Sequence, residues 1–69
     1  MKEPVYKLIE LTGTSTTSIE EAVDTAIKRA HKTINNLRWF QVIETRVSIE
    51  KGKVHHWLVT IKVGFEVNG

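Results

Sequence analysis

There is no cysteine in the 69 residues, so no disulfide can hold this chain together. Three histidines without a thiolate beside them supply no structural zinc pattern either. Proline occurs once, at Pro4, and glycine only four times, which excludes collagenous and low-complexity classes. No apolar run approaches the roughly 20 residues of a membrane span, and Met1-Lys2-Glu3-Pro4 lacks the apolar core of a signal peptide. A cytoplasmic protein with no membrane partner is therefore expected. Excess charge of one sign is also missing. Ten basic and eight acidic residues leave a net charge of +2. The two signs are interleaved, whereas nucleic-acid binders cluster their bases on one face, so no nucleic-acid partner is expected.

What is present is a 41% hydrophobic fraction, which argues against disorder and for one folded domain over residues 1–69. Such a chain buries only roughly 60% of its unfolded surface when it folds alone. With no disulfide or metal to help, oligomerisation is the expected source of stability.

The stretch Val5–Thr12 (VYKLIELT) reads as a strand. Val5, Ile9 and Leu11 share one face, while Tyr6 and Leu8 put apolar surface on the other, so both faces need covering. Residues 13–18 (GTSTTS) form a polar turn into a helix, and Ser18-Ile19-Glu20-Glu21 matches the reciprocal capping box. Ile19, Ala22, Val23, Ala26, Ile27, Ala30, Ile34 and Leu37 follow helical spacing, with Asn35-Asn36 as the stop. Acids lie early and bases late, as the helix dipole favours. Residues 38–50 and 53–67 then make two strands joined by a tight Lys51-Gly52 turn. In the last strand His55, Trp57, Val59, Ile61, Val63, Phe65 and Val67 form the face suited to the helix.

The fold class is thus α+β: a β-α-β-β chain with a three-stranded antiparallel sheet packed on one helix. The first and last strands are adjacent, and the helix crosses between the two co-directional strands. One helix covers one sheet face. The other, with Leu58 and the pair Trp39-Phe40 nearby, needs a partner.

Catalytic arrangements are poor, and no enzyme is expected. No nucleophile motif surrounds the serines, threonines or histidines. His55 and His56 are strand neighbours, an arrangement that sends side chains to opposite faces, so no metal site is expected. The GTSTTS turn lacks the lysine and spacing of a P-loop and reads as a capped helix start. Lys28, Arg29 and Lys32 read first as a solvated face complementing the dipole, with an anion site the lesser reading. Trp57 fits the core. Trp39, between Arg38 and Phe40 at a helix-to-strand junction, is placed where an indole can be displayed. Spacing alone ranks a core or subunit-interface role for it ahead of ligand stacking.

Taken together, VYKLIELTGTS, a helix with EEAV and AIKRA, then LRWFQV, ETR and the terminal VGFEV resemble the dodecin family. The resemblance runs without gaps from about Val5 to Val67. It implies a hollow homododecamer that stores flavin rather than an enzyme, with FMN (or riboflavin or FAD) bound in pairs at subunit interfaces. It also implies coenzyme A as a second ligand. Carried over by residue, Trp39 matches the tryptophan whose indole stacks on the flavin ring. Arg46 matches an arginine near the phosphate-bearing tail, a task that suits a guanidinium; an exposed strand charge is its other reading. Arg38 joins this flavin set. Lys7, with Lys28, Arg29 and Lys32, falls where coenzyme A phosphates are contacted. One position departs: where the family usually has Gln on the polar edge of the flavin ring, this chain has Leu58. The departure implies weaker, less oriented flavin binding, and with it the alternative of a structural or coenzyme A-binding shell.

Overall fold

A computed structural model describes residues 3–67, so Met1 and Lys2 of the stretch read as lacking a signal-peptide core, and the outer limits of the 1–69 domain, lie outside the described residues. The element order is β1 (Val5–Ser15), α1 (Ile19–His31), β2 (Leu37–Glu50) and β3 (Lys53–Val67). The three strands form one sheet in the order β1-β3-β2, with both pairings antiparallel. The expected α+β architecture and the adjacency of first and last strands are therefore as observed.

β1 runs three residues past Thr12, because its pairing with β3 continues to Ser15 opposite Trp57. Thr12 and Thr60 join their hydroxyls across the strands at 2.8 Å, which keeps this polar end in the sheet. Gly13 sits beneath the helix. A Cβ there would lie 1.9 Å from the Ala22 carbonyl oxygen and 2.9 Å from the Ala26 Cβ. The absent side chain, together with Ala22 and Ala26, lets helix backbone and strand backbone meet.

The helix start is only half a capping box. The Glu21 amide donates to Ser18 Oγ at 3.0 Å, but the return bond from Glu21 goes elsewhere. Ser15 Oγ donates to Glu21 Oε1 at 3.0 Å and accepts from the Thr17 and Ser18 amides at 2.9 and 3.3 Å. Ser15 thus stands between the two partners, which ties the end of β1 to the first turn of α1.

The helix ends earlier than its apolar stripe, at His31, with Lys32 as C-cap. The amides of Thr33 and Ile34 still reach the Ala30 carbonyl, and Asn36 then adopts φ 64° to start β2 at Leu37. Neither Ile34 nor Leu37 is helical, and Leu37 packs against the core from the sheet. At the hairpin, Lys51 (φ 53°) and Gly52 (φ 75°) are both left-handed, the requirement of the tight turn whose twist suits paired strands.

The core is small: Ala22, Ala26, Val59, Ile61 and Val63, flanked by half-buried Ile9, Leu11, Val23, Ile27 and Leu37. α1 lies across β1 and β3 but not across β2, so one helix covers two of the three strands. Mass scaling gives a compact 7.9 kDa monomer about 4,400 Å² of surface, whereas this chain exposes 5359 Å². Its radius of gyration is 14.4 Å, against about 11 Å for a compact chain of this length. Large apolar side chains contribute to this excess. Phe40, Val42, Ile43, Val47 and Ile49 of β2 are all exposed.

Gly13→Ala is expected to force α1 away from the sheet and to destabilise the chain by at least about 1–3 kcal/mol, the usual cost of overpacking. Denaturant unfolding of the variant against the parent measures it, and an unchanged midpoint would contradict the close approach at Gly13.

Candidate functional site

On the sheet face away from the helix, β1 contributes Tyr6 and Leu8, β3 contributes Lys62, Gly64 and Glu66, and β2 contributes Trp39. Directly opposed residues of an antiparallel pair share a face, and Trp39 is opposite Gly64. The indole fills the space that a side chain at 64 would take. A Cβ built on Gly64 falls 2.4 Å from Trp39 Cε2 and 2.5 Å from Cζ2. Tyr6 meets the ring edge-on, with centroids 6.2 Å apart and planes at 70°. Such aromatic pairs add about 0.5–1.5 kcal/mol beyond their buried area. Trp39 is held on both sides yet remains 43% exposed, so it presents ring surface from a fixed position.

Two irregularities in β2 decide which way this residue points. Leu37 is opposite Phe65 while Trp39 is opposite Gly64, so Arg38 is an extra residue in the ladder. Ile43 is another, between Val42 opposite Ile61 and Glu44 opposite Thr60. These bulges put Phe40 and Val42 on the helix side and Trp39, Glu44 and Arg46 on the open side. The expected grouping of Phe40 with Trp39 on the partner-seeking face is therefore corrected: strand neighbours diverge, and Phe40 turns toward α1. There it joins Val23, Ile27 and Val63 in a largely apolar groove of about 530 Å³ between the helix and β2, whose lining also includes Glu20, Asp24, Arg38 and Trp39.

The remaining candidates are dispersed. Arg38 Nε bonds Glu66 Oε1 at 3.2 Å beside the aromatic cluster. Arg46 Nε pairs with Glu44 Oε2 at 2.7 Å, with both groups well exposed. An ion pair that open contributes little, so the guanidinium is free to exchange partners. Arg46 is opposite Leu58, and both share the open face with Trp39. Leu58 and Gly64 are six residues apart on β3, however, roughly 20 Å at strand rise. Trp39 and the Arg46–Leu58 pair of one chain are thus too far apart to line the same ring system. Lys7, opposite Phe65, falls on the helix side beside Thr33–Asn36 and joins none of the others. On the helix, Lys28 bonds Asp24 at 2.9 Å, and that hydrogen bond and charge raise its pKa above the ordinary lysine value. No described helix is long and apolar enough to cross a membrane.

Fold and site together define a small α+β subunit that displays a braced indole on a sheet face its own chain leaves open. The chain belongs to the dodecin family, whose model matches residues 5–68. It is 43% identical over 63 residues to a dodecin of Thermus thermophilus, covering 91% of each chain. The calcium dodecin of Mycobacterium tuberculosis is 32% identical over the same length, with 91% of this chain and 89% of that one covered. Among solved structures, the dodecin of Streptomyces coelicolor superposes with a TM-score of 0.94 at 39% identity, covering 100% of this chain and 99% of the other.

Sequence reasoning singled out Trp39 but not the two residues that hold it. A lone glycine inside a strand pattern marks close backbone approach, and that signal was available at Gly64.

Gly64→Ala is expected to displace the indole while leaving the buried strand residues in place. The tryptophan near-ultraviolet circular dichroism should change with little loss of far-ultraviolet signal. Unchanged near-ultraviolet bands would mean that Trp39 is not seated on Gly64.

Proposed function

We propose that this chain binds and sequesters flavin without turnover, as FMN or a related flavin held between Trp39 rings of neighbouring copies in a hollow homododecamer. The observation that carries this reading is the braced, half-exposed indole over Gly64. A planar ring fixed in advance gives up little freedom when a second ring stacks on it. Membership of the dodecin family supports the same ligand class and assembly. The separation of Trp39 from Leu58, about 20 Å at strand rise, supports a site shared between copies, in which Trp39 of one chain meets Leu58 and Arg46 of another. In that setting Arg46 exchanges Glu44 for the flavin phosphate, and Arg38 lies beside the stacked rings. An indole against photoexcited flavin also quenches it, which suits protection more than catalysis.

Leu58 favours one competing reading, a structural or coenzyme A-binding shell. A Gln amide pairs with both a donor and an acceptor on the flavin pyrimidine edge, and Leu pairs with neither.

Titration of the intact protein with FMN, followed by tryptophan and flavin fluorescence, separates the two readings. Mutual quenching at saturable stoichiometry is expected, from a species sedimenting near twelve subunits. Absence of quenching favours the shell, and a stable folded monomer removes the interface site altogether. Trp39→Ala should keep the assembly and weaken FMN binding by about 1–3 kcal/mol, the range for losing one stacked ring. Failure to assemble would instead make Trp39 an interface core residue.

Leu58→Gln should tighten FMN binding several-fold, because an unpaired polar group withdrawn from water costs about 1–3 kcal/mol. Calorimetry on both proteins reads the difference. Equal or weaker affinity would mean that Leu58 does not meet the polar edge of the ring.

A further inference from the structure

The strand-neighbour rule that separates His55 from His56 fails at this position. Val47 is opposite Trp57 and Ile49 is opposite Val54, which leaves Ser48 alone against both histidines. Two residues facing one is a β-bulge on β3, and a bulge breaks the alternation of side chains and re-aims them. The Ser48 hydroxyl holds the bulge by accepting the His56 amide at 2.9 Å. The two rings consequently converge. Their Nδ1 atoms are 2.7 Å apart, their centroids 4.1 Å apart and their planes at 87°. Pairing with β1 ends at Trp57, so the rings lie on a stretch of β3 paired only with β2, with His55 exposed and His56 half-buried. Glu50 Oε2 is 3.8 Å from His55 Nδ1.

We propose that His55 and His56 form a two-nitrogen chelate for a late first-row divalent cation of the Cu(II) class. One Nδ1 now donates its proton to the other. On binding, that proton moves to Nε2 of the same ring, and both Nδ1 lone pairs turn to the metal. At metal–nitrogen distances of about 2.0–2.1 Å, a right angle at the metal sets the nitrogens about 2.9 Å apart and a tetrahedral angle about 3.4 Å. The 2.7 Å spacing is nearest the right angle, which is the tetragonal preference of Cu(II) and Ni(II), and Cu(II) heads the affinity order. Glu50 supplies negative charge and a carboxylate within a side-chain rotation of the site. Among the described residues no three His, Cys, Asp or Glu side chains already converge as ligands, so water completes the coordination sphere. The site is on the hairpin, remote from Trp39 of the same chain, and neither imidazole is assigned a flavin contact.

Cu(II) added to the full assembled protein, followed by calorimetry and electron paramagnetic resonance, tests the chelate. The expected result is one tight Cu(II) per chain with hyperfine structure from two imidazole nitrogens. His55→Ala and His56→Ala should each weaken binding at least about tenfold, since the second imidazole then no longer acts at high effective concentration. His31→Ala should leave it unchanged. Sedimentation and circular dichroism establish that the variants remain assembled. Binding that survives the double His55→Ala, His56→Ala change, or a parent spectrum with fewer than two imidazole nitrogens, overturns the proposal. So does the absence of saturable binding. The parent spectrum decides the matter even if a variant fails to fold.

Discussion

One helix cannot cover three strands, and most of what this chain does follows from that shortfall. α1 rests on β1 and β3 through a seam of small residues, with Gly13 against Ala22 and Ala26 allowing backbone contact. That close seam gives a dense core but a narrow one. β2 is left largely outside that core, with Phe40, Val42, Ile43, Val47 and Ile49 exposed. Hydrophobic burial is the main favourable contribution to folding, and about 25 cal/mol per Å² is lost wherever apolar surface stays wet. The exposed side of β2 is therefore where a further contact would add most stability. The indole of Trp39 belongs to the same uncovered surface and is braced before any partner arrives.

The general plan was legible because each element carries its own period. The helix was visible in the spacing of Ala22, Ala26 and Ala30, and β3 in the alternation of Val59, Ile61 and Val63. Their contact with one another requires only that like faces meet. Boundaries were less legible. Leu37 extended the helical stripe by coincidence of spacing, since the chain turns at Asn36 and brings Leu37 back to the same core from the sheet. Ser15 was assigned to a turn on composition, yet its hydroxyl is the link between strand end and helix start.

Facing was the part that sequence could not supply. A period of two assumes an unbroken ladder, and this sheet has three breaks, at Arg38, at Ile43 and at His55-His56 against Ser48. Each break hides in the sequence because the extra residue has ordinary strand chemistry. The first turns Trp39 to the face opposite Leu37, and the second brings Arg46 to the side of Trp39. The third brings two histidines together that simple alternation would separate. The candidate residues were thus identifiable by type, while their relation in space was fixed by irregular hydrogen bonding.

The same breaks shape the free border of the sheet. β2 is a 14-residue strand at the border of the sheet, apolar and unpaired along one side, the usual template for fibril addition. A straight border would accept another border in any of several registers and could extend without limit. Bulges at Arg38 and Ile43 interrupt its row of free amides and carbonyls and add local twist, so an incoming strand finds no continuous ladder. Association through side chains in one fixed geometry is then favoured over strand addition. Closed assemblies come from contacts of that kind, and open filaments from the other.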